Sequence, residues 1–287
     1  MTFLRPAVTA ILLLVWLAAG QGCDWRDQSS LYSELCAQQA ARNSSVAYNV
    51  NLTSIYEWQC TSCKHSPELY ILDILDGRRG DYYGYVGYQM NSPEVLVLSF
   101  RGTIWLDGDS AVADLSFSEI PWPIHVPDST VHHGFLQYYL KVQSRVRDVI
   151  ADRLRRVPET KLVITGHSLG GAAAIIALVD LYDIIPNASV YTFGSPRVGN
   201  SFFAKHLKSL NSRIFRVNHD HDLILYDKHM QSFTECSDIN GEDNTCSDSF
   251  AAVSYSISEH LVYFGYNLAH PDQFALHDAV NNVTITI

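Results

Sequence analysis

The sequence has no extended run of lysine or arginine. Its 20 basic residues are outnumbered by 30 acidic ones, giving a formal charge of −10. It therefore lacks the basic face or stripe that a phosphate-backbone binder needs, and nucleic acid is excluded as a partner. Internal repeats, low-complexity tracts and linker-like stretches are also missing, so nothing marks a boundary between domains. After the first twenty residues there is no apolar stretch long enough to cross a bilayer. Cys60-Thr-Ser-Cys63 has no second C-x-x-C and no suitably spaced histidine pair to accompany it, so the ligand set of a structural zinc site is not met.

What is present begins with an export signal. Arg5 supplies a short positive region, Ala7 to Ala19 is almost wholly apolar, and Ala18 and Gly20 suit a small-residue cleavage site before Gln21. The competing reading, a membrane anchor, needs a longer apolar span. Residues 1–20 are thus expected to be a signal peptide and 21–287 one domain, with no stable transmembrane anchor. Six cysteines (Cys23, Cys36, Cys60, Cys63, Cys236 and Cys246) suit an exported, disulfide-bonded chain, although their spacing does not pair them. Four N-x-S/T sequons, at Asn43, Asn51, Asn187 and Asn282, are glycosylation candidates in the same compartment.

The periodicities alternate between strand and helix. Residues 29–49 read as a helix with apolar points at Leu31, Leu35 and Val46. ELYILDILDG and YYGYVGYQM read as two strands around a glycine and charged turn, and PEVLVLSFRG as a buried strand. HHGFLQYYLKVQSRVRDVIADRLRRV carries apolar residues at helical spacing until Pro158. Then follow KLVIT as strand, GGAAAIIALVDLYDII as helix, ASVYTFGSP as strand, SFFAKHLKSL as helix and RIFRVNH as strand. This order implies an α/β fold with a mostly parallel central sheet flanked by helices.

Gly166-His167-Ser168-Leu169-Gly170 fits G-x-S-x-G with a strand before it and a helix after it. That context makes a sharp turn that lifts a serine hydroxyl out of the sheet. Serine needs activation by a base to become a nucleophile. The glycines are needed because a Cβ there would meet a neighbouring strand or helix. Gly171 and Ala172 to Ala174 let the helix approach the sheet, and its N-terminus directs partial positive charge at the serine. His167 is adjacent in sequence and is expected to project away from the hydroxyl. In such a fold an acid and then a histidine follow the serine in chain order. The polar loop after RIFRVNH offers Asp220 and Asp222. His219, Asp220, His221 and Asp222 also spell a possible metal cluster, but four successive residues do not readily converge on one ion.

Seven segments in the same order make the chain resemble the fungal-type (class 3) triacylglycerol lipases of the α/β-hydrolase superfamily. They are VLSFRGT (97–103), VADLSF (112–117), VHHGF (131–135), TGHSLGGA (165–172), TFGSPRVGN (192–200), FRVNHDHD (215–222) and EHLVYFG (259–265). The resemblance implies an α/β-hydrolase fold with a short lid. It makes Ser168 the nucleophile, Asp222 the acid with Asp220 as the fallback, and His260 the base. The oxyanion hole corresponds to the backbone N–H groups of Thr103 and Leu169, and Ile104, Trp105 and Leu106 belong to an apolar lid segment. Two family disulfides match Cys60–Cys63 and Cys236–Cys246, leaving Cys23 to Cys36. A third family bridge has no counterpart, its positions falling near Asn49 and Pro271, so the C-terminal tail is expected to be less tied down. The segment after the acid, Leu223-Ile224-Leu225-Tyr226, departs from the family's proline-rich pattern, and the lid is slightly longer.

The expected activity is secreted carboxylic-ester hydrolysis through an acyl-enzyme, on triacylglycerol at an oil–water interface, with no metal or organic cofactor and the chain taken as a monomer. The alternatives are a soluble-ester (feruloyl-type) esterase, a phospholipase, and a non-catalytic lipid- or carbohydrate-binding relative, which would typically have lost a triad member or an elbow glycine.

Overall fold

The central strands are buried on both faces, while the edge strand Leu69–Asp76 alternates buried and exposed residues. Residues 23–26, 32–77, 81–103, 118–122, 126–219, 260–270 and 283–286 are described by a computed structural model of the chain. The strands are β1 (Leu69–Asp76), β2 (Tyr82–Gln89), β3 (Ser92–Phe100), β4 (Glu119–Pro121), β5 (Thr130–His132), β6 (Lys161–His167), β7 (Ser189–Phe193), β8 (Arg213–His219), β9 (Val262–Tyr263), β10 (Tyr266–Asn267) and β11 (Val283–Thr286). The helices are α1 (Glu34–Val46), α2 (Leu52–Tyr56), α3 (His133–Leu140), α4 (Gln143–Arg156), α5 (Leu169–Leu181) and α6 (Ser201–Ser209), and Ser62–His65 forms a 3-10 turn.

Among the described residues, seven strands form one sheet in the order β1-β2-β3-β6-β7-β8-β11. The four central strands, β3, β6, β7 and β8, run parallel. Antiparallel pairs extend the sheet at both edges. The connections between the parallel strands carry helices, as parallel pairing requires.

Period-two alternation divides the core. Leu96, Leu98 and Phe100 of β3 and Leu162 and Ile164 of β6 join one apolar cluster with α3, α4 and α5. Val95 of β3 and Val163 of β6 point the other way, into a cluster with Ala37, Ala40 and Ala41 of α1. Buried on both faces, these strands read as nearly continuous apolar runs.

Helix α1 differs from its sequence reading. It starts later, capped by Ser33, whose hydroxyl accepts the Cys36 N–H. Leu35, one of the apolar points of the expected helix, is 49% exposed, while small residues line the buried side. Small side chains let α1 lie close enough for the sheet to hydrogen-bond its backbone. Thr165 Oγ1 donates to the Ala40 carbonyl at 3.1 Å, and Ser99 Oγ and Tyr85 OH donate to that of Asn43 at 3.1 and 2.8 Å. The same packing removes Asn43 as a glycosylation candidate. It lies inside the helix and is fully buried, so no glycan fits there in the folded chain. Asn51 and Asn187 are exposed, and Asn282 lies outside the described residues.

Two further differences concern the chain's course. The run expected to be a single helix up to Pro158 breaks into α3 and α4 around Val142, whose φ of −123° and ψ of −3° are not helical. The C-terminal tail, expected to be loosely tied, is held as β11 against β8, with Val283 opposite His219 and Thr286 opposite Arg216. Cys23–Cys36 and Cys60–Cys63 are disulfide-bonded. Cys236 and Cys246 lie outside the described residues.

Candidate active site

Ser168 sits between β6 and α5 with φ 56° and ψ −126°, a left-handed backbone that costs a non-glycine residue about 1–3 kcal/mol. The surroundings impose it. The Ser168 N–H donates to the Phe193 carbonyl of β7 at 2.9 Å, and its carbonyl accepts from Gly171 and Ala172 at 2.9 and 3.2 Å. Glycines make the turn sterically possible. A Cβ on Gly166 would overlap the Gly170 carbonyl, and one on Gly170 would overlap the Phe100 carbonyl at the end of β3. A Cβ on Gly171 would lie 2.8 Å from that of Ser195.

The contact between Gly170 and Phe100 has a second effect. It sets the exit of β3, which leads through Arg101 and Gly102 to Thr103, beside the first turn of α5, which begins at Leu169. The first-turn amides of a helix have no intrahelical acceptor, so N–H groups and the positive end of the helix dipole gather at the elbow. The exit is fixed from behind. Tyr138 OH donates to the Arg101 carbonyl at 2.6 Å, and the Arg101 N–H donates to the Tyr83 carbonyl at 2.9 Å.

VHHGF and TFGSPRVGN fold against each other. His132 caps α3, with Nδ1 accepting the Phe135 N–H at 3.3 Å, and its ring stacks on Phe135 at 3.9 Å. The His132 N–H donates to the Val198 carbonyl at 2.8 Å. Asn200 caps α6, its Oδ1 accepting from Phe203 at 3.0 Å and from Thr130 at 3.2 Å. These bonds hold the loop after β7 in register with β5, behind the elbow.

His260, 92 residues after Ser168 in the chain, is packed against the residue that precedes that serine. It is 1% exposed. Its ring centroid lies 4.5 Å from that of His167, the residue immediately before Ser168. The His260 carbonyl accepts from His167 Nε2 at 2.7 Å. His167 is thus buried with both ring nitrogens bonded, and it touches the segment that carries His260. That contact, and the bond from Tyr48 OH to His167 Nδ1 at 2.6 Å, had no signal in the sequence. Asp222 and Asp220, which follow the end of β8 at His219, lie outside the described residues, as do Ile104, Trp105 and Leu106.

Comparison with known proteins gives this constellation a context. The family model for Lipase (class 3) matches residues 97–225, which span Thr103, Ser168 and Asp222. The lipase of Rhizopus niveus is 32% identical over 235 residues, covering 74% of this chain and 58% of its own length. The crystal structure of the lipase from Rhizopus microsporus var. chinensis superposes with a TM-score of 0.70 at 29% identity, over 83% of this chain and 90% of that one. The chain belongs to the class 3 lipase family. Its fold is therefore the α/β-hydrolase fold. A further solved relative of this family member has a TM-score of 0.69 and 27% identity, over 83% of this chain and 97% of that one. That protein is a triacylglycerol lipase with a serine protease triad at its catalytic centre. The chain spans less than two-thirds of the length of the curated relatives it matches. Among the described residues of this class 3 chain, no helix is long and apolar enough to cross a membrane.

Proposed function

We propose that the chain is a secreted serine carboxylic-ester hydrolase that acts as a triacylglycerol lipase through an acyl-enzyme. The observation that carries the reading is the strained Ser168 backbone at the β6–α5 turn with His260 packed beside that turn. A left-handed serine held by three backbone hydrogen bonds has no structural use that glycine would not serve better.

His260 takes the Ser168 proton as Oγ attacks the ester carbonyl carbon. The carbonyl π electrons move to oxygen, and the Thr103 and Leu169 amides bind the resulting oxyanion, a donor of this kind being worth roughly 3 kcal/mol. The intermediate collapses, the C–O bond to the alcohol breaks, and His260 protonates the leaving oxygen. Water then attacks the acyl-enzyme with His260 again as base, and collapse returns the proton to Ser168 and releases the carboxylic acid. Asp222 orients His260 and stabilises its imidazolium form. Lipid at an oil–water interface is the proposed substrate. The names of the related lipases support it, as do Ile104, Trp105 and Leu106, an apolar group that would gain by meeting lipid. Asn51, Asn187 and Asn282 are the proposed glycan sites, and residues 1–20 the export signal.

The test is active-site labelling with a fluorophosphonate alongside turnover of a short-chain triglyceride across its solubility limit. Ser168→Ala should abolish labelling and lower turnover by at least about 10⁴-fold with the thermal midpoint unchanged. A rate that rises when the triglyceride forms an emulsion supports lipase action. Hydrolysis retained by Ser168→Ala would overturn the reading, and a rate that saturates below the solubility limit would reassign the enzyme to soluble esters.

A further inference from the structure

His167 has two bonded ring nitrogens, and the two partners together determine where its proton resides. Nε2 faces the His260 carbonyl at 2.7 Å, and a carbonyl only accepts. Nε2 therefore carries the proton. Nδ1 faces Tyr48 OH at 2.6 Å. In this tautomer Nδ1 is an acceptor, so the phenol donates. Burial pushes the Tyr48 phenol far above the usual tyrosine range, which keeps it a neutral donor.

Tyr48 stands where three segments meet. It follows α1 by two residues, and its ring is buried against Leu261 and Ala269 on either side of the β9–β10 hairpin. Its oxygen lies against Gly102. The Gly102 backbone favours negative charge on that oxygen, as an N–H facing it would, and a Cβ on Gly102 would overlap it. The same Cβ would lie 2.5 Å from the His167 carbonyl. One phenol hydroxyl thus touches the loop leading to Thr103 and the histidine preceding Ser168, and through that histidine it reaches the backbone of His260. Neither His167 nitrogen is left to meet a substrate, so no proton-transfer step falls to this ring.

We propose that Tyr48 and His167 are positioning residues, a buried hydrogen-bonded strut that fixes the His260 backbone and the Thr103 loop relative to Ser168. The proposal rests on the assignment of Ser168 and His260 as nucleophile and base. A ring with one donor and one acceptor nitrogen on opposite sides suits this span. Phenylalanine at 167 would fill the space and hold neither end.

Tyr48→Phe removes the hydroxyl alone. Turnover of a soluble p-nitrophenyl ester, per active site titrated with fluorophosphonate, should fall roughly tenfold. KM should stay within about twofold, because the strut acts on geometry and not on substrate contacts. The bimolecular rate of fluorophosphonate labelling should fall in parallel. His167→Gln, which can still present an N–H near the Nε2 position, should recover part of the kcat that His167→Leu loses. An unchanged kcat and labelling rate in Tyr48→Phe would overturn the strut. So would a loss confined to thermal midpoint with kcat per titrated site intact, because that is the signature of packing alone. Ser168→Ala and His260→Ala run beside them separate the two levels: if those remain active, the assignment of the site itself has failed.

Discussion

Helices α1 and α5 cover opposite faces of the same sheet, and both approach it through small residues, yet they are held differently. Helix α5 meets the sheet with Gly170, Gly171 and Ala172 to Ala174, continues as Ile175, Ile176 and Leu178, and is buried over nearly all its length. Helix α1 meets it with Ala37, Ala40 and Ala41 together with Asn43, Ser44 and Ser45, and sheet hydroxyls donate to its carbonyls. Helix α5 is placed by steric fit, since a Cβ on Gly166, Gly170 or Gly171 would overlap its neighbours at the elbow. Helix α1 is placed by directional bonds between polar groups, which set the position of Tyr48 just past its end. Steric contact of the first kind fails abruptly when one atom is added. Hydrogen bonds of the second kind are worth individually about 1 kcal/mol.

The sharpest way to break the contrast is to add one methyl group on the α5 side. In Gly170→Ala the new Cβ would overlap the Phe100 carbonyl, a backbone atom at the end of β3 with no rotamer to relieve it. We expect destabilisation of more than about 4 kcal/mol, read as loss of soluble folded protein or of active-site labelling. A stable, active Gly170→Ala would show that the helix can shift and that steric fit does not place it. Next in size is Leu98→Ala, which empties a fully buried position facing α5. It should cost about 2–5 kcal/mol in urea unfolding. On the α1 side, Thr165→Val keeps the shape and removes only the donor to the Ala40 carbonyl. It should cost about 1 kcal/mol. A larger loss for Thr165→Val than for Leu98→Ala would invert the comparison.

The same contrast explains what the sequence disclosed. The α5 side was legible because its constraints fall on glycine: Gly166, Gly170 and Gly171 stand at fixed offsets from Ser168, and each meets a named backbone or side-chain atom. The strands were legible because burial on both faces leaves continuous apolar runs such as VLVLSF. The α1 side was not. Its buried face has no large apolar residue to set a period, and the apolar point Leu35 faces solvent. The break between α3 and α4 carries neither glycine nor proline, only Val142 turned inward by the core, and tertiary packing overrode a helical pattern there. Tyr48 was invisible for a related reason. Its role depends on contacts with residues 102, 167, 261 and 269, which are far apart in the chain, and no local pattern encodes them. His260 was found only through the resemblance, since seven histidines follow Ser168 and spacing alone does not choose among them.

The smallest expected effect sharpens the α1 side most directly. Asn43 and Asn51 both carry a sequon, eight residues apart in sequence. Asn43 is inside the interface with the sheet, 0% exposed, and its carbonyl is occupied by Tyr85 and Ser99. Asn51 is exposed and caps α2, its Oδ1 accepting the Ser54 N–H at 3.1 Å, a bond that does not use the amide nitrogen, the atom that carries a glycan. Asn187 is similarly placed, with Oδ1 accepting from Asn211 Nδ2 at 3.0 Å. In protein secreted from a eukaryotic host, Asn51→Gln and Asn187→Gln should each lower the intact mass by one glycan and leave turnover unchanged. Asn43→Gln should leave the glycan mass unaltered and act only on stability, because the longer side chain must fit a closed interface. A glycan found on Asn43 in active enzyme would require α1 to stand away from the sheet and would release the bonds that bring Tyr48 to His167.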